Sequence, residues 1–218
     1  MIRAFIFDMD GVLCDSEAFI AEAACLLFKT VYGTTVTPAD FEPFIGTGEE
    51  RYLAGVAEQY GLTLVMPRDK ETLYQLYATC VQGRLQPVAG VVDFIHKSAA
   101  AGFKLAVATS ADRFKMEVNL QAIGLDAAVF TALVTGNDIR HKKPAPDIFL
   151  KAAEGLGVSP QECAVFEDAV NGVQAAKAAG AQCIGVTTSF SDEVLRNAGA
   201  DRTIRNFHEL NPEKQVSR

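Results

Sequence analysis

The sequence lacks the features that mark membrane proteins and disulfide-bonded secreted proteins. No segment of its 218 residues approaches the uncharged apolar run of about 20 residues that a transmembrane helix requires. Residues 1–7 lack the charged, apolar and small-residue order of a signal peptide, and we expect them to form structure. The five cysteines include no CxxC pair, which favours free thiols over disulfides or a zinc site. These absences predict a cytoplasmic protein that does not bind membranes.

The sequence also lacks an excess of positive charge. It has 20 Lys and Arg residues against 27 Asp and Glu residues, which gives a formal net charge of −7. Because nucleic acids are anionic, we expect this chain not to bind them non-specifically. Its hydrophobic fraction of 49% is ordinary for a globular protein, and the length suffices for one α/β domain or for a core with a smaller appendage.

Short apolar segments alternate with amphipathic segments through most of the chain. Strands are predicted at 2–7, 105–108, 132–135, 164–166 and 183–186, and helices at 91–101, 113–123, 147–156 and 170–179. This alternation is typical of an α/β fold, in which a Rossmann-like parallel sheet carries helices on both faces.

A block with helical periodicity and no convincing strand interrupts this alternation after the first strand. Helical segments are predicted at 17–44, 49–60 and 69–82. We therefore predict an α/β core formed by residues 1–15 and 87–218, with an α-helical domain inserted at residues 16–86.

The strongest chemical signal is the sequence Phe7-Asp8-Met9-Asp10-Gly11, directly after the first strand. Residues i and i+2 of an extended chain point to the same side, so both carboxylates are expected beyond the carboxyl end of this strand, where ligands bind in open α/β sheets. Two close carboxylates repel unless a cation lies between them or one holds a proton. Hard oxygen ligands of this kind suit Mg²⁺.

Polar residues also follow three later strands. Thr109 and Ser110 offer a hydroxyl group and backbone N–H groups for a phosphate, although Thr109 could equally cap the next helix. Lys143 precedes a stiff Pro-Ala-Pro segment, and its ammonium group could neutralise a transferring phosphoryl group. Glu167 and Asp168 end another strand, where an acidic pair alone would usually be a turn or a cap.

Together these four strand ends resemble the motifs of the haloacid dehalogenase superfamily. The segments FDMDGV, VATS, KKPAPD and FEDA match its four motifs in order, and the helical insertion resembles the small cap of the family. Within the superfamily the chain is most similar to the β-phosphoglucomutase-like, or CbbY-like, phosphatases. The resemblance covers essentially the whole chain.

The resemblance implies a mechanism and a role for each motif residue. Asp8 would be the nucleophile that forms an aspartyl-phosphate, and Asp10 would be its acid–base partner. Mg²⁺ would be held by the Asp8 carboxylate, the main-chain carbonyl of Asp10, and Asp168, with Glu167 close by or reaching the metal through water. The phosphoryl oxygens would be held by Thr109, the Ser110 backbone and Lys143.

Substrate selection is expected from the inserted domain. The candidate substrate-binding residues are Gly46, Thr47, Glu49 and Arg51, since glycines permit close backbone approach and Arg51 could grip an anion. The same segment can also be read as an ordinary helix start with acidic residues in its first turn.

Two departures from the family pattern bear on the reaction. β-Phosphoglucomutases carry a histidine in the first cap helix and an arginine in the cap loop, where this chain has Ile20 and Glu49. We therefore predict a monomeric Mg²⁺-dependent phosphatase that acts on a small phosphorylated metabolite, such as a sugar or polyol phosphate. A sugar phosphomutase and a catalytically silent binding or regulatory module remain the alternative hypotheses.

Overall fold

A six-stranded parallel sheet organises the computed structural model, which describes residues 1–44 and 48–212. Its strands are β1 (Ala4–Phe7), β2 (Lys104–Ala108), β3 (Ala132–Val134), β4 (Cys163–Glu167), β5 (Gln182–Val186) and β6 (Arg202–Ile204). They lie in the order β3-β2-β1-β4-β5-β6, and every neighbouring pair is parallel. The predicted α/β fold with a Rossmann-like sheet is therefore confirmed.

The α-helices of the described residues follow the strands or form the inserted block. They are α1 (Glu17–Tyr32), α2 (Glu49–Gln59), α3 (Arg68–Val81), α4 (Val91–Ala100), α5 (Arg113–Ala122), α6 (Asp147–Leu156), α7 (Val170–Ala178) and α8 (Asp192–Asn197). None of these helices has both the length and the apolar character that crossing a bilayer would require.

The central strand β1 sends alternate side chains to opposite faces of the sheet. On one face, the ring of Phe7 stacks on that of Phe166 with centroids 5.0 Å apart, and both rings pack against Phe94 of α4. On the other face, Ile6 belongs to a buried cluster that includes Phe149 of α6. Full burial of such a side chain contributes about 1.5–3 kcal/mol, so β1 is anchored from both faces.

The strand order reverses between β1 and β4, and this reversal fixes where a ligand can bind. In such sheets a crevice opens beyond the carboxyl ends of the two strands that flank the reversal. Phe7 pairs with Phe166 in the register of β1 and β4, and Asp8 N–H donates to Phe166 O at 3.0 Å. Asp8, which directly follows β1, and Glu167, the last residue of β4, therefore lie side by side.

Backbone packing divides the chain into two units, one of Met1–Asp15 with the residues from Gln86 onward, the other of Ser16–Leu85. Within the second unit α1 packs on α3, and the rings of Phe41 and Tyr52 stack 4.8 Å apart. No strand occurs among the described residues of this unit.

The prediction of one helical segment over 17–44 was wrong in its extent. Helix α1 ends at Tyr32 because Gly33 takes a left-handed conformation, with φ of 64°, and its N–H donates to Phe28 O. The chain resumes as a 3₁₀-helix at Pro38–Phe44. Strand β6 and helix α8 were not predicted from the sequence, and they are only three and six residues long.

Candidate active site

Asp8 lies directly beyond β1, in a group of buried charged side chains. Lys143 Nζ lies 2.6 Å from Asp8 Oδ1 and 2.6 Å from Glu167 Oε1. The Lys143 side chain is only 6% exposed, so its ammonium group is largely shielded from water and pairs with the two carboxylates. The structure thus brings together residues from the first, third and fourth predicted motifs.

Burial and charge perturb the pKa values of this group. Burial raises the pKa of Asp8 well above its ordinary value, the carboxylates of Glu167 and Asp168 raise it further, and Lys143 opposes the rise. Burial disfavours the charge on Lys143, but the carboxylates of Asp8 and Glu167 outweigh that effect and raise its pKa. Lys143 therefore stays protonated. Perturbed groups of this kind, gathered in a crevice, are typical of functional sites.

The group has the composition of a divalent-metal site. Asp8, Glu167 and Asp168 are all buried, and each offers a carboxylate oxygen within 4.8 Å of the others. Burial and then the charge of Glu167 raise the pKa of Asp168 to about 7. Burial and mutual repulsion disfavour the charged form of Asp8 and Asp168, and a cation such as Mg²⁺ or Ca²⁺, which prefers hard oxygen donors, would offset both effects.

Two glycines make room for these carboxylates. A Cβ atom on Gly11 would lie 1.9 Å from Asp168 Oδ2, and the Gly11 φ of 77° also disfavours any side chain. A Cβ atom on Gly172, in α7, would lie 1.7 Å from Glu167 Oε1. The acidic group can therefore occupy its observed position only because both residues are glycine.

Asp10 has an ion-pair partner of its own. Lys115 Nζ lies 3.0 Å from Asp10 Oδ2, and the side chain of Asp10 is not part of the three-carboxylate group. Strand β1 ends at Phe7, so Asp8 and Asp10 both lie just beyond it, before the positive φ of Gly11. That their carboxylates point to the same side stays a prediction. The repulsion expected between the two acids is offset by two separate lysines, Lys143 and Lys115. The main-chain carbonyl of Asp10 as a metal ligand stays a prediction.

Thr109 follows β2 and is held in place by two hydrogen bonds. Its N–H donates to Val134 O at 3.0 Å, and its Oγ1 accepts from the N–H of Ala111 at 3.1 Å. Helix α5 begins only at Arg113, with Asp112 at the N-cap position, so Thr109 is not the cap of that helix. Ser110 comes next, half-buried at the carboxyl edge of the sheet.

The structure describes two of the four candidate substrate residues of the inserted unit. Gly46 and Thr47 lie outside the described residues. Glu49 begins α2 and lies in its acidic first turn, as the helix-start alternative expects. Arg51 Nη1 lies 2.8 Å from Glu58 Oε1, and its guanidinium group lies 5.2 Å from the centre of the Phe44 ring. A substrate role for Glu49 and Arg51 stays a prediction.

Three side chains that contact this site were not predicted from the sequence. Lys115 gave a usable signal, because it shares the buried face of α5 with Met116 and Leu120, where an apolar residue is expected. Ser189 donates a hydrogen bond to Asp168 Oδ2, and Thr188 donates to Gly11 O at 2.6 Å. These two residues follow β5 in a polar stretch, TTSFSD, that resembles any surface loop, so the sequence offered no signal for them.

Comparison with known proteins identifies relatives along nearly the whole chain. The chain is 43% identical over 91% of its length to the chloroplastic protein SUPPRESSOR OF QUENCHING 1 of Arabidopsis thaliana, but spans only 19% of that protein. It is 31% identical to the phosphorylated carbohydrates phosphatase of Thermotoga maritima, over 99% of this chain and 100% of the relative.

A solved structure and a family model agree with these relatives. The crystal structure of CbbY from Rhodobacter sphaeroides in complex with phosphate superposes with a TM-score of 0.83 at 27% identity, covering 97% of each chain. The model of the family described as haloacid dehalogenase-like hydrolase matches residues 2–180. This chain therefore belongs to the haloacid dehalogenase-like hydrolase family, and it is a hydrolase with phosphatases among its relatives.

Proposed function

We propose that this protein is a Mg²⁺-dependent phosphatase that hydrolyses a sugar or polyol phosphate through an aspartyl-phosphate on Asp8. The proposal rests on the charged groups that surround Asp8. The buried Asp8 carboxylate lies 2.6 Å from the Lys143 ammonium group. It also belongs, with Glu167 and Asp168, to an acidic group that is suited to bind a cation. Phosphoryl transfer needs this combination, because its catalysis consists mainly of positioning and charge neutralisation.

In the first step, a carboxylate oxygen of Asp8 attacks phosphorus, and the bond from phosphorus to the leaving oxygen breaks. Asp10 gives its proton to that oxygen, so that a neutral alcohol departs. In the second step, Asp10 takes a proton from water, the water oxygen attacks phosphorus, and the bond to Asp8 breaks. The products are inorganic phosphate and regenerated Asp8.

The phosphoryl oxygens would be held at the carboxyl ends of β1 and β2. Lys143 supplies positive charge beside Asp8. Thr109 Oγ1 already accepts an N–H hydrogen bond from Ala111, so its own proton can be donated to a phosphoryl oxygen. Backbone N–H groups near Ser110 supply further donors.

The metal would be held by Asp8, Asp168 and the main-chain carbonyl of Asp10, with Glu167 beside them. Three buried carboxyl groups that lie close together fit Mg²⁺, which prefers hard oxygen ligands and substrate phosphates. When bound, Mg²⁺ would neutralise charge on the phosphoryl group and orient it towards Asp8. Ser189 and Gly11 support the same site, because one donates to Asp168 and the other leaves space for it.

A phosphorylated carbohydrate is the proposed substrate class. The Thermotoga maritima relative, which this chain matches over its full length, is named for that class of substrate. A phosphate ester of a small alcohol also agrees with the acid role of Asp10, because an alkoxide is a poor leaving group that must be protonated as it departs.

Phosphate release from a panel of sugar, polyol and nucleotide phosphates tests the proposal. The assay is run with Mg²⁺, with EDTA and with Asp8→Asn, which keeps the size of the side chain but removes the nucleophile. The expected result is release from one or more sugar or polyol phosphates that depends on Mg²⁺ and is lost in Asp8→Asn. Release that survives EDTA or the substitution would contradict it, as would a wild-type protein inactive on the whole panel.

A further inference from the structure

Lys115 is a buried lysine whose ammonium group faces the proposed acid–base residue. It lies in the first turn of α5, its side chain is 5% exposed, and its Nζ lies 3.0 Å from Asp10 Oδ2. Removing an ammonium group from water is strongly unfavourable unless a close partner offsets the loss of hydration. There must therefore be a reason why this buried position has a charged residue.

Packing alone does not supply that reason. The neighbouring buried residues Met116 and Leu120 of α5 contribute to the core through apolar side chains, and an apolar residue at Lys115 would fill the same space without the desolvation cost. The identified partner of the charge is Asp10, which comes from a different part of the chain, 105 residues away. The ion pair thus ties α5 to the loop that follows β1.

We propose that Lys115 is a positioning residue that holds Asp10 in the orientation needed for proton transfer. This inference rests on the function proposed above. Lys115 donates to Oδ2 of Asp10 and so fixes the carboxyl group that gives its proton to the leaving oxygen and later takes a proton from water. Lys143 pairs with Asp8 and Glu167. Lys115 pairs with Asp10, so the proposed nucleophile and the proposed acid–base residue each have a lysine of their own.

If Lys115 acts through the proton transfers of Asp10, its loss should affect some substrates more than others. A purely structural role would affect all substrates alike. An alkyl phosphate needs the proton from Asp10 because its alkoxide leaves poorly. A p-nitrophenyl phosphate does not need it, because nitrophenolate is stable without a proton. The ratio kcat/KM reports the steps up to departure of the leaving group, and so it excludes the later attack of water.

The test compares Lys115→Met with wild type on an alkyl phosphate and on p-nitrophenyl phosphate. Misplacing a reacting group by about 1 Å can cost about 100-fold in rate. We expect kcat/KM to fall by about that factor on the alkyl ester and to change little on the aryl ester. The aryl ester also shows that the variant is folded. Lys115→Gln, which keeps a polar side chain without the charge, is expected to show the same selective loss if Lys115→Met fails to fold.

Two further variants serve as controls for this comparison. Asp10→Asn gives the pattern expected when the acid itself is lost. Lys177→Met removes an ion pair with Asp201, which lies just before β6 rather than at the site, and should leave both esters unchanged. Equal losses on both esters, or no loss on either, for both Lys115 variants would overturn the role of Lys115 while leaving the phosphatase proposal intact. A wild-type protein inactive on both esters, or an active Asp8→Asn, would instead overturn the proposed function itself.

Discussion

Lys143 Nζ lies 2.6 Å from Asp8 Oδ1, and the two residues are 135 positions apart in the chain. The contact joins the end of β1 to the segment before α6, and the same ammonium group also reaches Glu167 at the end of β4. One cation thus neutralises charge from both strands that flank the reversal of strand order. This arrangement makes Lys143 important for stability as well as for the proposed chemistry.

Lys143→Met is expected to lower activity and stability together. Loss of a group that stabilises transition-state charge typically costs about 10²–10³ in kcat. Removing one partner of a buried ion pair also costs about 3–5 kcal/mol, because Asp8 and Glu167 must then either stay charged without a cation or take up a proton. Steady-state kinetics and urea unfolding measure the two effects. The matched control is Lys142→Met, at the exposed neighbouring position, and a comparable loss in that variant would contradict the assignment.

Gly11→Ala is expected to weaken metal binding. The new Cβ would lie 1.9 Å from Asp168 Oδ2 and would displace that carboxylate. Disturbing the surroundings of a metal ligand typically costs about 10–100-fold in metal affinity or activity, so activity should require correspondingly more Mg²⁺.

Gly124→Ala is the matched control for Gly11→Ala. Gly124 has φ of 74°, close to the 77° of Gly11, but a Cβ atom at Gly124 would meet no other group within 4 Å. Both variants incur the backbone cost of about 1–2 kcal/mol, which unfolding measurements should detect. Only Gly11→Ala should change the Mg²⁺ concentration for half-maximal activity, and an equal change in both would contradict the steric explanation.

The sequence was sufficient for five of the six strands and for the position of the motif residues beside them, and the reason is physical. Apolar runs identify buried strands, and the residues after them must meet at one edge of a parallel sheet, which is where Asp8, Thr109 and Glu167 lie. The partners of those residues were harder to predict. Lys115 and Ser189 are brought to the site by helix packing and by a loop, which depend on distances between elements that periodicity does not encode.

The three-carboxylate group is expected to reduce the stability of the metal-free protein. Mutual repulsion among Asp8, Glu167 and Asp168 is relieved when a cation binds, so Mg²⁺ should raise the melting temperature. At a concentration about 100 times the dissociation constant, the gain is about 2.7 kcal/mol.

Asp168→Asn tests whether that stabilisation arises at this site. The amide keeps the shape of the side chain and cannot ionise, whereas Asp168 is ionised above its raised pKa of about 7. Above that pH the metal-free variant should therefore melt at a higher temperature than metal-free wild type. Its response to Mg²⁺ should be greatly reduced. An unchanged response in differential scanning fluorimetry would show that the ion binds elsewhere.

Asp69 stabilises the unit Ser16–Leu85, and this contribution is expected to depend on pH. Its buried carboxylate accepts hydrogen bonds from Tyr32, the Val65 N–H and Arg68. Burial opposes its charge, but these hydrogen bonds outweigh burial and lower its pKa below the ordinary 3.8. The stabilisation is therefore present above pH 3.8 and is lost as the pH falls through the lowered value.

Asp69→Asn should lower the stability near neutral pH by about 1.5–3 kcal/mol, the range for a hydrogen bond to a charged group. The difference from wild type should shrink as the pH falls from 3.8 towards the lowered pKa of folded Asp69, because the unfolded chain takes up the proton first. Urea unfolding at a series of pH values measures it. Asp93→Asn, which alters an exposed ion pair with Lys97, should behave like wild type throughout. A difference that persists unchanged in acid would contradict the assignment.

Covalent phosphorylation of Asp8 is the central claim, and trapping that species tests it most directly. Asp10→Asn is mixed with Mg²⁺ and p-nitrophenyl phosphate, a substrate that needs no acid to depart, and the reaction is quenched in acid. Because the variant lacks the base that activates water, the aspartyl-phosphate should accumulate. Intact-mass and peptide analysis should find one added phosphoryl group, on the peptide that contains Asp8. A burst of nitrophenolate with no phosphorylated protein, or a phosphoryl group on another residue, would contradict the account.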